Sequence, residues 1–226
     1  FVPMITTGIG TVKPAKVLIV GVGVVGLQAV ATAKRLGGIV SAVDIRAKAK
    51  EEAMSLGAKI EGFDVPEEVS TGKWGYAKAL PTDWLNKERE LLKPLIQDVD
   101  IIILSALVPG EVAPILLTDE MVASMKPGSV IVDVAIDQGG NCAVTDAGKV
   151  VCKHGVTING LQNIPGRMAV HSTWLYANNM YNYVENLFKN GLGVIDFEDE
   201  IVKNSLVTHE GKIVHEGTLK ALGEVH

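Results

Sequence analysis

Apolar and polar residues alternate in blocks along this chain, and the blocks predict strands and helices in regular succession. Residues 17–20, Val-Leu-Ile-Val, form a short apolar run that turns through glycines into a helical pattern ending near Leu36-Gly37-Gly38. Residues 39–43 read as the next strand, closed by Asp44, and residues 48–56 as a helix stopped by Gly57. A third short strand is expected near Lys59-Ile60. Residues 64–81 are rich in turn formers (Pro66, Gly72, Gly75 and Pro81) and predict a long mobile loop. Residues 83–95 carry Trp84, Leu85, Leu91 and Leu92 at helical spacing among mixed charges, the mark of a helix with a solvated face, and lead into the strand run 100–104, Asp-Ile-Ile-Ile-Leu. Thr118-Asp119-Glu120 caps a short helix closed by Lys126-Pro127-Gly128, and residues 129–134 form another strand. Residues 150–152 and 156–158 flank Lys153-His154-Gly155 as a hairpin or as two separate strands, and residues 172–188 predict a long helix. Residues 198–215 read as a polar tail in which His209-Glu210-Gly211 turns a small hairpin.

Strands that are almost wholly apolar, alternating with helices, imply a parallel sheet covered on both faces and joined by right-handed crossovers. The fold class expected is therefore α/β: a Rossmann-like, doubly wound parallel sheet in three αβα layers. Residues 1–15 form an opening segment, 16–190 the Rossmann domain, and 191–226 a tail expected to be poorly anchored without a preceding domain on which to pack.

Composition narrows the partners. The formal net charge of -5 over 226 residues lacks the basic footprint that a phosphate backbone demands, so nucleic acid is not expected. Two cysteines, Cys142 and Cys152, suit a reducing compartment and small inert thiols better than a disulfide framework. The most apolar stretch, residues 17–33, is broken by Gly21, Gly23, Gly26 and Gln28 and falls short of the ~20 residues that cross a bilayer. The chain opens at Phe1 without an initiator methionine, as expected of a piece of something longer.

The sharpest chemical signal is Gly21-x-Gly23-x-x-Gly26, directly after a strand and at the start of a helix. Gly21 allows the tight turn, Gly23 lets the backbone approach a pyrophosphate, and Gly26 lets helix and sheet pack closely. The unpaired N–H groups of the helix start, around Val24 and Val25, face the phosphates. Asp44, followed by Ile45 and Arg46, ends the next strand, where a carboxylate accepts hydrogen bonds from an adenosine ribose and repels a 2′-phosphate. That favours NAD over NADP, against the nearby positive charge of Arg46. Ala106 and Leu107 follow the strand at 100–104, at the sheet edge where ligands of open α/β folds bind; they suit close approach of the nicotinamide ribose, or else belong to a plain Pro109-Gly110 turn.

Asp137, Gln138 and Asn163 also follow strands. Two readings stand for each: a hydrogen bond to the nicotinamide carboxamide or its ribose, or a polar turn former. Tyr76, in the run Gly75-Tyr76-Ala77, is either a lid that closes over a bound nucleotide or part of a cluster with Trp74 that tacks the loop down. Asp133 lies inside an apolar strand, and a buried carboxylate there suits a structural partner such as a loop N–H better than catalysis. The five histidines have no metal-ligand spacing, and no catalytic nucleophile or acid–base pair is evident.

From Phe1 to about Gly217 the chain resembles the alanine dehydrogenase and transhydrogenase α-subunit superfamily. The resemblance rests on Pro3-Met4 through Val17, the run GVGVVGLQA, Asp44-Ile45-Arg46, Gly75-Tyr76-Ala77-Lys78, Ala106-Leu107-Val108-Pro109-Gly110 and residues 125–133. The Gly75–Lys78 run, Gly139-Gly140-Asn141-Cys142, Pro165-Gly166-Arg167, and Leu175-Tyr176 with Asn178-Asn179 resemble the transhydrogenase branch. Residues 134–140, Val-Ala-Ile-Asp-Gln-Gly-Gly, look more like alanine dehydrogenase, whose corresponding aspartate lies at the active site. The resemblance implies the NAD(H)-binding component of a proton-translocating transhydrogenase. It would be a homodimer on the cytoplasmic side of the inner membrane, working with an NADP(H)-binding domain and a membrane-spanning component. Direct hydride transfer between two nicotinamides needs positioning and exclusion of water rather than a catalytic side chain. The hairpin around Lys153-His154-Gly155 is expected to contribute to the dimer. The alternatives are the cofactor domain of an NAD-dependent alanine dehydrogenase and a non-catalytic nucleotide-binding module.

Overall fold

The computed structural model describes residues 2–72 and 75–223, and it divides the chain into two units, Phe1–Gln162 and Asn163–His226. The first opens with a small antiparallel hairpin, β1 (Ile5–Thr7) and β2 (Gly10–Val12), within the opening segment. Then come β3 (Lys16–Val20), α1 (Val24–Arg35), β4 (Ile39–Val43), α2 (Ala47–Ser55) and β5 (Lys59–Ile60). After α3 (Glu67–Ser70) and α4 (Thr82–Ile96) follow β6 (Ile101–Leu104), α5 (Asp119–Ala123) and β7 (Val130–Asp133), then a 3-10 turn, Val134–Gln138, and the hairpin β8 (Val150–Lys153) and β9 (Val156–Asn159).

Seven of these strands form one sheet in the order β5-β4-β3-β6-β7-β9-β8. Six run parallel, and β8 pairs antiparallel with β9 at the edge. The parallel part has the order third-second-first-fourth-fifth-sixth of a Rossmann sheet, and the chain reverses direction across the sheet between β3 and β6. Consecutive side chains of a strand point to opposite faces. Accordingly Val17 and Ile19 join one core with Val30, Ala33, Ala49 and Ala53 of α1 and α2. Leu18 and Val20 join the other with Leu92 and Ile96 of α4 and Met121 and Val122 of α5. At about 1.5–3 kcal/mol for each large side chain buried, two cores on opposite faces hold the three layers together.

The described residues of the stretch 64–81 are more ordered than a long loop. Pro66 precedes α3, the acidic Glu67 and Glu68 occupy its first turn, and Ser70 is buried. Thr71 then bridges Ala77, the Gly72 N–H donates to the Tyr76 carbonyl (2.8 Å), and the Lys78 N–H to that of Ser70 (3.0 Å). Local polar composition hid these backbone pairs, which join residues several positions apart.

The second unit contains α6 (Ile164–Arg167), the long α7 (Ala169–Leu187), α8 (Glu200–Ser205), the hairpin β10 (Thr208–His209) and β11 (Lys212–Ile213), and α9 (Glu216–Ala221). The long helix and the small hairpin occur where the patterns predicted them, but α7 groups with the C-terminal segment rather than with the sheet. Within this unit, contacts join residues 199–205 to α7 and the turn that follows it. Asp199 caps α8 and accepts from Lys189 (2.6 Å) and Asn186 (3.2 Å), Tyr183 bonds Ser205 (2.9 Å), and Val202 is buried.

Candidate functional site

The carboxyl ends of β3, β4, β6 and β7 meet at the switch point, and the glycine turn lies there. Gly21 adopts φ +85°, in the left-handed region, and a Cβ on it would come within 2.7 Å of the Ser105 and Ala106 backbone. A Cβ on Gly26 would stand 2.1 Å from the Gly21 carbonyl oxygen, so α1 approaches the turn as closely as only glycine permits. At Gly23, by contrast, a Cβ would meet nothing within 4 Å. The helix starts at Val24 with no side-chain cap and no acidic residue in its first turn, among the described residues. Val24 and Val25 are exposed, so the start of α1 offers uncapped N–H groups and its positive dipole end beside open space.

Asp44, 7% exposed, is wired into this turn. One carboxylate oxygen accepts from the Val22 N–H (2.7 Å), and the other from the Arg46 N–H (2.8 Å). The Arg46 guanidinium adds bonds to both oxygens, at 3.1 and 3.0 Å, and donates to the carbonyls of Val22 (3.3 Å) and Gly75 (3.2 Å). Arg46 thereby ties the Asp44 corner to the segment carrying Tyr76, itself 58% exposed. Ile45 is half-buried, and Ala77 pairs with Thr71. Trp74, the proposed partner of Tyr76 in the tacking reading, lies outside the described residues, as does Lys73.

Across the switch point, the Ser105 hydroxyl donates to the Gly21 carbonyl (2.8 Å) and joins β6 to the turn. Ala106 and Leu107 follow, half-buried. Asp133, at the end of β7, is 1% exposed and accepts from the N–H groups of Asn141 (3.1 and 3.0 Å) and Cys142 (3.1 Å) and from the Thr145 hydroxyl (3.0 Å). It has the loop N–H partners expected of a structural carboxylate. Asp137 lies exposed on the 3-10 turn beyond. Asn163 belongs to the second unit, where its left-handed backbone (φ 51°) and its side chain, accepting from the Gly166 N–H (3.1 Å), cap α6.

Two features escape the sequence reading. Asn141, fully buried, directs its side chain at the backbone beyond β6. Glu88 lies on the inward face of α4 with Leu92 and Ile96, a spacing of four that marks one helical stripe, although the mixed charges of the segment suggest a solvated face. Burial, then the neighbouring Asp44 charge, raises its carboxyl from 4.5 to about 7, with Arg89 acting in the opposite direction. Because the folded value lies above the unfolded one, the stability that Glu88 contributes is fully present below about pH 4.5 and is lost as the pH rises through 7. Glu88→Gln is therefore expected to match the parent in stability near pH 4.5 and to exceed it at pH 8, by up to about 3 kcal/mol in chemical denaturation. Equal stability at pH 8 would show that the carboxyl ionises without cost.

Both cysteines are free thiols, Cys142 buried and Cys152 exposed, and burial raises the Cys142 thiol. Among the described residues no group of three or more His, Cys, Asp or Glu side chains is arranged to hold a metal, and no helix is long and apolar enough to cross a membrane.

The sheet order and the glycine turn at its switch point define the class: a Rossmann-like α/β fold. The chain belongs to the alanine dehydrogenase/PNT C-terminal domain family, whose model matches residues 1–216. It is 47% identical over 218 residues to a polypeptide of the NAD(P) transhydrogenase subunit alpha of Rhodospirillum rubrum, covering 94% of this chain and 56% of the relative. It is 32% identical to the alanine dehydrogenase of Methanococcus maripaludis, over 95% of this chain and 53% of that enzyme. The solved transhydrogenase from Sinorhizobium meliloti superposes with a TM-score of 0.73 at 40% identity, over 95% of this chain and 54% of that one. The chain thus spans about half the length of the relatives it matches.

Proposed function

We propose that this chain is the NAD(H)-binding component of a proton-translocating NAD(P) transhydrogenase. The observation that carries this reading is the glycine turn with Asp44 bonded into it through the Val22 N–H, beside a helix start whose first turn has neither acid nor side-chain cap. Gly21, Gly23, Val24, Val25 and Gly26 would hold the pyrophosphate, and Asp44, with Ile45 and Arg46, the adenosine ribose. Ala106 and Leu107 would border the nicotinamide ribose, with Asp137 toward the carboxamide or its ribose. Gly75, Tyr76 and Ala77 would form a lid. The exposure of Tyr76 and the bond from Arg46 to Gly75 support that assignment.

When bound, the dihydronicotinamide supplies a hydride to NADP⁺ on a partner component; this chain binds, orients and excludes water, without a catalytic residue of its own. A homodimer, an NADP(H)-binding domain and a membrane-spanning component complete the assembly, on the cytoplasmic side of the inner membrane. The large apolar side chains exposed on α7, among them Trp174, Leu175, Tyr176 and Tyr181, support packing of the C-terminal region on a further domain of such a protein. The higher identity to a transhydrogenase subunit than to alanine dehydrogenase favours this branch over the other.

Nucleotide preference follows from the Asp44 corner. The Arg46 guanidinium is bonded to both Asp44 oxygens and to two carbonyls, so a ribose hydroxyl would take the place of a guanidinium bond on the carboxylate, whose charge would repel a 2′-phosphate. NADH is expected to bind more tightly than NADPH, measured side by side by nucleotide fluorescence. Asp44→Ala is expected to weaken NADH about tenfold and NADPH less, since ribose hydrogen bonds are lost only from the former. Unchanged selectivity in the variant would remove Asp44 from the site.

A further inference from the structure

Gly139-Gly140-Asn141-Cys142 follows the 3-10 turn after β7, and none of its residues is assigned a contact with the nucleotide in the proposed site. In the structure Asn141 joins three segments. Its N–H donates to Asp133, and its carbonyl accepts from the N–H groups of Leu116 (2.8 Å) and Leu117 (3.0 Å). Its side-chain oxygen accepts from the Ala106 N–H (3.0 Å), while its side-chain nitrogen donates to the Ala106 carbonyl (2.9 Å) and to that of Pro114 (2.8 Å). Every polar atom of the residue is engaged, and none of its surface is exposed.

The side-chain bonds span the two ends of one loop. Between Ala106 and Pro114 the chain runs out from the sheet edge through Pro109, Gly110, Glu111 and Val112, all exposed, with Val108 and Ala113 turned inward. The Asn141 amide makes with Ala106 the paired donor–acceptor contact that a neighbouring strand would make, beyond the point where the β6–β7 pairing ends at Leu104 and Asp133. Two glycines bring it there. Gly139 and Gly140 both adopt positive φ (105° and 83°), and a Cβ on Gly140 would meet an Asp133 carboxylate oxygen at 2.8 Å. Ala106 is also the residue against which the Gly21 turn is packed. Asn141 therefore sets the position of the loop base relative to both the glycine turn and β7.

We propose that Asn141 is a positioning residue: by bridging Ala106 and Pro114 it holds residues 107–113 in the place that receives the nicotinamide half of the dinucleotide. The proposal rests on the NAD(H)-binding reading. Its predicted signature is selective, because the adenosine half is held by the glycine turn and Asp44, which Asn141 does not touch.

The test compares binding of NADH with that of ADP, which lacks both the nicotinamide and its ribose, to the parent chain and to Asn141→Asp. The substitution keeps the shape but turns the side-chain nitrogen, facing two carbonyls, into an acceptor. NADH affinity is expected to fall at least tenfold while that of ADP stays within about twofold. Asn141→Ala, which removes the bridge without adding charge, carries the same test should the aspartate variant fail to fold. Thr145→Val, which removes one bond to Asp133 and leaves the bridge, is expected to weaken neither ligand selectively. Parallel loss of both ligands in the Asn141 variants, or no loss of either, would overturn the positioning role. A parent chain that binds neither ligand would overturn the dinucleotide reading itself.

Discussion

Gly26→Ala and Gly23→Ala are expected to fail in opposite ways, although they alter the same motif three residues apart. The Gly26 methyl would lie 2.1 Å from the Gly21 carbonyl oxygen, in backbone that no side-chain rotation relieves. Overpacking of this kind typically costs about 1–3 kcal/mol, and a backbone clash lies at the upper end or beyond it, outweighing the roughly 1 kcal/mol that alanine gains over glycine in a helix. Gly26→Ala should therefore lower stability by about 3 kcal/mol and abolish NADH binding, because α1 must move away from the turn. At Gly23 the methyl meets no protein atom, and the backbone (φ -88°) is open to any residue. Stability should stay within about 0.5 kcal/mol, while NADH affinity falls at least tenfold because the methyl stands where a pyrophosphate would approach. Denaturation midpoints and NADH titrations on the two variants check this. A Gly23→Ala protein that binds NADH like the parent would show that no phosphate comes close to the turn.

Asp133→Ala should be the most destabilising single change at the sheet edge. The carboxylate takes up two buried backbone N–H groups and a hydroxyl, and alanine leaves all of them without an acceptor. With about 1–3 kcal/mol for each buried group left unsatisfied, a loss of about 3–5 kcal/mol is expected, with an unchanged denaturant slope if the unfolded state is unaffected. Asp133→Asn keeps one acceptor oxygen but turns an amide donor toward N–H groups, so it should fall between alanine and the parent. A loss below about 1 kcal/mol for the alanine variant would mean that water replaces the carboxylate, and that the loop from Gly139 to Thr145 is held by other contacts. The same experiment bears on Asn141, whose backbone is anchored by this carboxylate.

Much of the fold was legible because its determinants are local. Residues 17–20, 101–104 and 130–132 are apolar on both faces, and only a covered parallel sheet places such strands out of water. The glycine triplet announced its turn because positive φ at Gly21 and close contact at Gly26 are demands that other residues meet poorly. Asp133 announced a buried partner because an unpaired carboxylate among Val and Ile is too costly. Elsewhere, local composition misdirected the reading. The polar segment at 64–81 folds into a short helix and a bridged turn through pairs such as Thr71 with Ala77, and the charges of α4 concealed that Glu88 points inward. Within the second unit, Asp199 and Tyr183 join α8 to α7 and the turn that follows it, contacts that local pattern does not announce.

The sequence by itself determined the class of fold, the glycine turn, and the acidic residue that ends the second strand of the sheet, since each follows from short-range periodicity or from the conformational limits of single residues. Only the tertiary structure decided what those residues touch. It closed Arg46 onto Asp44 and Gly75, joined Ser105 to Gly21, buried Glu88 beside Asp44, and set the Asn141 amide across Ala106 and Pro114. These contacts link residues from two to eighty-four positions apart. The longer ones exist because the β3–β6 and β6–β7 pairings bring distant strand ends to one edge, an arrangement that local sequence pattern does not encode.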